Sequence, residues 1–89
     1  MIMCDVSVVI PNYNRTVLLR RALQSIRAQT IQPTEIIVVD DHSEKDRLLE
    51  IELIIKEAQR HANVKLLVNN ENRGANYSRN RGISAAKGK

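Results

Sequence analysis

The 89-residue chain carries a formal net charge of +4, and 43% of its residues are hydrophobic. This length allows one small domain and excludes two, and the composition is that of a globular protein and not of a disordered or fibrous one. No apolar run approaches the roughly 20 residues of a membrane span, and the start of the chain lacks the pattern of a secretory signal. The single cysteine, Cys4, excludes an internal disulfide and favours a reducing compartment. We therefore expect a cytoplasmic location. For the intact protein, a location at the inner face of a membrane is the alternative.

The final part of the chain is basic. From residue 73 onward there is no acidic residue, and the basic ones are Arg73, Arg79, Arg81, Lys87 and Lys89. Such a segment suits phosphate, nucleic acid or an anionic membrane surface. Nucleic-acid binding is better supported where aromatic residues are interleaved for base stacking, and this chain has two tyrosines and no Phe or Trp. The sequence therefore predicts a phosphorylated small molecule, and not a nucleic acid, as the partner.

Three short runs rich in β-branched residues predict strands over residues 6–10, 36–39 and 64–68. The first run is expected to stop at Pro11, which cannot donate a ladder hydrogen bond. The first two runs are almost wholly apolar, as in parallel strands that are buried on both faces.

Helical spacing of apolar residues predicts helices over residues 17–29 and 45–61. In the first helix Leu18, Ala22 and Ile26 share one face, and Asn14 is the expected N-cap. The second helix follows Ser43-x-x-Asp46, a pattern typical of a capping box.

A third helix is predicted over residues 75–86, with small residues on one face: Ala75, Ser78, Gly82 and Ala85. The order β-α-β-α-β-α with short connections predicts right-handed crossovers and a parallel sheet covered by helices. The expected fold class is α/β, a three-layer βαβαβα half of a doubly wound, mostly parallel sheet. Residues 1–89 are expected to form a single partial domain.

Ligands of open parallel sheets bind beyond the carboxyl ends of the strands. Three polar segments fall at that edge: residues 11–14, 40–42 and 69–74. The turn after the first strand lacks Gly-x-Gly-x-x-Gly, which argues against a dinucleotide fold, and there is no phosphate-binding Walker loop. A phosphoacceptor receiver domain is disfavoured because its acidic pair follows the first strand, whereas here Asp40-Asp41 follows the second.

The acidic pair Asp40-Asp41 is a candidate for a metal site or an acid–base site. Asp40, Asp41 and His42 are consecutive, so their side chains diverge, and a hard cation needs oxygens from separate segments. The sequence therefore predicts neither a metal site nor a catalytic pair. For Asp40, ligand contact and holding of the loop stay open. For Asp41 we expect a hydrogen bond from an N–H of a base or a hydroxyl of a ribose.

Four sequence blocks carry a resemblance to a known family. They are VSVVIPNYNR (residues 6–15), LQSIRAQT (23–30), EIIVVDDHS (35–43), and NRGANYSRNRGI (72–83) with AKG (86–88). Together, in this order and spacing, they resemble the opening of an inverting family 2 glycosyltransferase.

The resemblance implies the A-type glycosyltransferase fold, a nucleotide-diphospho-sugar transferase fold that is truncated here, with this segment as its nucleotide-binding half. It also implies a set of nucleotide-binding residues: Pro11, Tyr13 and Asn14 along base and ribose, Asp41 at the base with Asp40 beside it, and Arg79 and Asn80 near ribose and diphosphate. His42 stands where the family usually has Gly or Asn.

The resemblance further implies that the intact enzyme transfers a sugar from a nucleotide-diphosphate donor, expected to be a UDP-sugar, to an unknown acceptor hydroxyl with inversion. Mg or Mn is expected as its cofactor, held by an Asp-x-Asp motif beyond residue 89, where the catalytic base is also expected. This chain alone is then expected to bind no metal and to be inactive. The alternative is a non-catalytic nucleotide-binding module, or one that self-associates through the exposed edge of its first strand.

Overall fold

The computed structural model describes residues 2–87, with side chains from residue 5 onward. Outside the described part of the chain lie Gly88, which belongs to the fourth sequence block, and Lys89, which belongs to the basic segment. The side chain of Cys4 is also not described. The elements are β1 (Ile2–Asn12), α1 (Val17–Arg27), β2 (Ile31–Asp40), α2 (Lys45–Ala58), β3 (Val64–Val68) and α3 (Ala75–Ala85).

The three strands form one parallel sheet in the order β1-β2-β3. Side chains alternate across the sheet, so Ile36 and Val38 join the core cluster that includes residues of α1 and α2. Val39, on the opposite face, lies beneath Gly82 of α3. Helices thus cover both faces, and the predicted three-layer βαβαβα arrangement is confirmed.

β1 continues through Pro11 to Asn12, so the prediction that it stops at Pro11 is wrong. Among the described residues β1 pairs only with β2, and a proline is tolerated on such an edge strand because no further ladder needs its missing N–H. β2 likewise contains Pro33, in its first half, where β3 does not reach.

The core lies between the sheet and the α1–α2 pair. In α1 the buried residues are Leu19 and Leu23, whereas Leu18, predicted to share a face with Ala22 and Ile26, is 57% exposed. Both stripes of α1 are apolar, so periodicity alone could not choose between them. In α2 the buried residues are Ile51, Ile54 and Ile55.

The segment after α3 is attached to the sheet by a buried carboxylate. Glu35 is 2% exposed, and its Oε2 accepts hydrogen bonds from Ser7 Oγ at 2.8 Å and from the main-chain N–H of Lys87 at 2.6 Å. Lys65 Nζ lies 3.4 Å from Oε1. None of the helices in the described part of the chain is long and apolar enough to cross a bilayer.

Half of the predicted small-residue face of α3 meets the sheet. Ser78 and Gly82 are buried, whereas Ala75 and Ala85 are exposed. A Cβ at Gly82 would come within 2.3 Å of Val9 Cγ1. The missing side chain therefore sets how closely α3 approaches the sheet.

We expect Gly82→Ala to destabilise the fold by about 1–3 kcal/mol through overpacking, although the same change in an exposed helix stabilises by about 1 kcal/mol. Urea unfolding followed by circular dichroism measures the difference. Ser84→Ala, at an exposed position of the same helix, is the matched control. Equal stability of the two variants would show that α3 does not need the close approach.

Candidate nucleotide-binding site at the strand ends

Asp40, the last residue of β2, is fully buried and closes the turn that leads to α2. Its Oδ2 accepts the main-chain N–H of Ser43 at 2.8 Å. Its Oδ1 accepts Ser43 Oγ at 2.6 Å and, more weakly, Asn12 Nδ2 at 3.4 Å. Asp40 therefore holds the loop after β2, which is one of the two roles left open for it; the other was contact with a ligand.

Asn14 joins the loop after β1 to the loop after β2. Its main-chain N–H donates to Ser43 Oγ at 2.8 Å, and its Oδ1 accepts the N–H of Glu44, the N-cap residue of α2, at 2.8 Å. The prediction that Asn14 is the N-cap of α1 is therefore wrong, since the N-cap residue is Thr16. The predicted capping box is also wrong, because the Ser43 hydroxyl is engaged by Asp40 and Asn14.

Asp41 clamps the loop between β3 and α3. Its Oδ1 accepts Asn69 Nδ2 at 2.9 Å and the N–H of Arg73 at 2.8 Å, and its Oδ2 accepts the N–H of Gly74 at 2.7 Å. The N–H of Asp41 donates to Asn12 O at 2.8 Å, so the same residue is also tied to β1. Gly74 has φ +91°, a conformation that favours glycine.

The pKa of Asp41 is lowered. Burial alone would raise it, but the hydrogen bonds from Arg73 N–H, Asn69 Nδ2 and Gly74 N–H, with the charge of His42, outweigh that effect. The carboxylate is thus ionised at neutral pH while only 5% of the residue is exposed.

A carboxylate offers about four acceptor positions, two on each oxygen. Three donors from the chain occupy two positions on Oδ1 and one on Oδ2 of Asp41. The second position on Oδ2 receives no hydrogen bond from the residues that the structure describes. A fixed, ionised acceptor of this kind can take a single N–H or O–H from a bound molecule.

Asn69 connects this clamp to α3, and sequence reasoning placed its loop at this edge without naming it. Its Nδ2 also donates to Ser78 Oγ at 2.9 Å, and its Oδ1 accepts Arg81 Nη1 at 2.8 Å. His42 Nδ1 lies 3.3 Å from the Asn69 carbonyl oxygen. An asparagine directly after a strand that ends at a sheet edge was the available signal.

His42 has φ +62°, in the left-handed region. Gly adopts this conformation without steric cost, and Asn and His adopt it more often than most other residues. The backbone thus accounts for the Gly or Asn that the family resemblance implies at this position.

The remaining predicted residues lie at the rim or outside the clamp. Tyr13 is 44% exposed beside the end of β1, and Pro11 is half-buried within that strand. Arg79 and Asn80 are exposed on α3, where Arg79 Nη1 donates to Asn76 Oδ1 at 2.9 Å. The structure thus brings Asn14, Asp40 and Asp41 into one hydrogen-bonded corner. The other four predicted residues lie outside this network, with Tyr13, Arg79 and Asn80 exposed and Pro11 half-buried.

The described residues do not form a divalent metal site. No three His, Cys, Asp or Glu side chains converge within the part of the chain that the structure describes. The two neighbouring carboxylates diverge, since Asp40 binds the turn at Ser43 and Asp41 binds the loop at Arg73 and Gly74.

A mostly apolar groove with a volume of about 280 Å³ lies between α1 and α2. Its floor includes Gln32, Ile36 and Val64, which belong to the amino-terminal parts of β2 and β3. The groove is therefore at the opposite end of the sheet from the clamp and is not part of this site.

The family model for glycosyl transferase family 2 matches residues 7–89. The chain belongs to this family. It is 37% identical over 87 residues to the GalNAc(5)-diNAcBac-PP-undecaprenol beta-1,3-glucosyltransferase of Campylobacter jejuni, covering 97% of this chain and 27% of that protein. The chain thus spans about a quarter of the length of this relative.

Two solved structures share the fold of the present chain. The mannosyltransferase PcManGT from Pyrobaculum calidifontis, in complex with GDP-Man and Mn²⁺, superposes with a TM-score of 0.78 at 25% identity, over 94% of this chain and 25% of that one. S. aureus TarS superposes with a TM-score of 0.75 at 28% identity, over 99% of this chain and 15% of that one. The predicted transferase fold is confirmed.

We expect Asp41→Asn to lower stability by about 2 kcal/mol at neutral pH, because an amide presents only one acceptor oxygen to three donors. A lowered folded-state pKa gives stability that is fully present above the unfolded value of about 3.9 and is lost as pH falls through the folded value. Urea unfolding between pH 2 and pH 7 measures both effects.

The loss of stability below about pH 4 should be smaller in the Asp41→Asn variant than in the wild type, since the titrating group is gone. Asp46→Asn, at an exposed position in the first turn of α2, is the matched control. An unchanged pH profile in Asp41→Asn would show that this carboxylate does not stabilise the loop.

Proposed function

We propose that this chain is the nucleotide-recognition part of a glycosyltransferase that moves a sugar from a nucleotide-diphosphate donor to an acceptor hydroxyl. Membership of the family and the likeness to transferase structures support the reaction class. The observation that carries the proposal is the Asp41 carboxylate, ionised and fixed at the strand ends with one acceptor position free.

The free position of Asp41 favours uracil as the base. Uracil presents one imide N–H, which needs one acceptor position, whereas guanine presents neighbouring N1–H and N2–H donors that a carboxylate receives with both of its oxygens. Oδ1 is already taken by Asn69 and Arg73. A site built for one donor therefore supports a UDP-sugar, even though the neighbour PcManGT was solved with GDP-Man.

The surface residues complete the proposed donor site. Tyr13 offers an exposed ring for packing against the base, beside Pro11 and Asn14 at the end of β1. Arg79 and Asn80 offer donors for ribose and diphosphate, and an arginine matches phosphate oxygens with its forked N–H groups.

In the proposed reaction the acceptor oxygen forms a bond to the anomeric carbon while the bond to the diphosphate breaks on the opposite face, which inverts that centre. The hydroxyl proton passes to a general base. A Mg or Mn ion would offset charge on the leaving diphosphate. We assign no residue of this chain to these steps and propose that the chain alone binds the nucleotide without transferring sugar.

Isothermal titration of the 89-residue chain with UDP and with GDP tests the proposal. We expect UDP to bind, GDP to bind at least about tenfold more weakly, and Asp41→Asn to lose about tenfold in UDP affinity, as for a hydrogen bond to a charged group. Asp46→Asn should bind like the wild type. Equal binding of both nucleotides would contradict the uracil assignment, and no binding of either would contradict the donor site.

A second candidate function is self-association. Within residues 2–87, β1 has a strand neighbour on one side only, and it is an 11-residue strand. Long edge strands present backbone groups to which another chain can pair. We propose that two copies pair along this edge.

Light scattering coupled to size exclusion measures this directly. We expect the mass to rise above the 10.1 kDa monomer as the protein concentration increases through the micromolar range. A constant monomer mass over that range would contradict self-association and leave the donor-site proposal unaffected.

A further inference from the structure

A small polar pocket lies beside the clamp, between the loop after β3 and α3. We call it the Arg81 pocket; it has a volume of about 190 Å³ and is lined by Asn69, Asn70, Arg73, Tyr77 and Arg81. None of these residues is among the predicted donor contacts, which are Pro11, Tyr13, Asn14, Asp40, Asp41, Arg79 and Asn80. Its lining is polar and carries two arginines and no acidic side chain.

Arg81 is held in place and is not neutralised. It is half-buried, and its Nη1 donates to Asn69 Oδ1 at 2.8 Å. The amide of Asn69 is itself fixed, because its Nδ2 donates to Asp41 and to Ser78. No carboxylate forms an ion pair with Arg81 among the residues that the structure describes. A guanidinium has five N–H donors, so the one bond to Asn69 does not exhaust the donors of Arg81.

Arg73 supplies the second positive charge. Its guanidinium carbon lies 5.1 Å from the centre of the Tyr77 ring, which restrains the side chain from one face. Its Nη2 pairs with Glu71, and both side chains of this pair are at least half exposed. An exposed ion pair contributes at most about 1 kcal/mol, so an anion between the two arginines can compete with it.

The pocket is too small for a nucleoside. Sites for drug-sized ligands begin at about 300 Å³, whereas this pocket has a volume of about 190 Å³. A tetrahedral oxyanion fits, and forked guanidinium donors match its oxygens in charge and in geometry.

We propose that the Arg81 pocket binds a phosphate group, free or carried on a larger molecule, at a site separate from the nucleoside corner. Arg81 and Arg73 contact its oxygens, and Asn70 offers a further donor at the rim. Asn69 bonds both Arg81 and Asp41 and so connects the pocket to the clamp.

Titration of the isotopically labelled 89-residue chain with inorganic phosphate at constant ionic strength, followed by NMR, tests this site. We expect saturable shifts of the Arg73 and Arg81 side-chain Nε–H signals and of the Asn69 side-chain amide. Chloride at matched ionic strength should produce none of these shifts. Non-saturable or absent shifts would overturn the proposal.

Two variants separate binding from folding. Arg73→Gln keeps the main-chain N–H that donates to Asp41, and it should weaken phosphate binding by about fivefold to tenfold while the fold is retained. Arg81→Lys keeps the charge but loses the fork, and it should weaken binding by a similar factor. Arg21→Gln, an exposed arginine of α1, should bind phosphate like the wild type. Equal affinity in Arg73→Gln, Arg81→Lys and wild type would overturn the assignment.

Repeating the titration with saturating UDP distinguishes the sources of the phosphate. If phosphate affinity is unchanged, or falls by less than direct competition with saturating UDP would cause, the pocket is a site for a phosphate that is not the donor's. Competitive loss of the Arg73 and Arg81 shifts would show that the pocket holds the donor's own diphosphate and would overturn a separate site. If UDP does not bind, the proposed function fails, and the phosphate titration alone still decides this inference.

Discussion

The strand-end corner of this protein depends on one carboxylate. Asp41 receives Asn69 Nδ2, Arg73 N–H and Gly74 N–H, groups that lie 28 to 33 residues further along the chain. The loop between β3 and α3 has six residues without regular structure, and the carboxylate of Asp41 is the acceptor for the main-chain N–H groups of Arg73 and Gly74. Asp41 therefore determines where the loop crosses the sheet, and with it where α3 begins.

The two adjacent acids do different work because strand geometry points them to opposite faces. Asp40 belongs to the α1–α2 side, where it fixes the turn through Ser43, while Asp41 belongs to the α3 side. The pair is thus two separate loop anchors and not a catalytic dyad. Asn14 and Asn69 extend the two anchors to neighbouring loops, so all three strand-end loops are held in one hydrogen-bonded network.

Local patterns were sufficient for the elements and not for the contacts among them. The β-branched runs predicted all three strands, and helical spacing predicted all three helices, although only β2 has a continuous run of fully buried residues. The choice between Leu18 and Leu19 depends on how α1 is rotated against the sheet. The hydrogen bond from Glu44 N–H to Asn14, and the clamp between Asp41 and Gly74, are contacts across about 30 residues. Such contacts become visible only once the strands are aligned.

The central claim is that ionised Asp41 holds the main-chain N–H groups of Arg73 and Gly74. The direct measurement is the pH dependence of these two amide proton shifts by NMR. Both should titrate together with a midpoint below the ordinary aspartate pKa of about 3.9, and both should exchange slowly with solvent at neutral pH. Shifts that do not follow a common low-pH transition, or amides that exchange as in an open loop, would contradict the account.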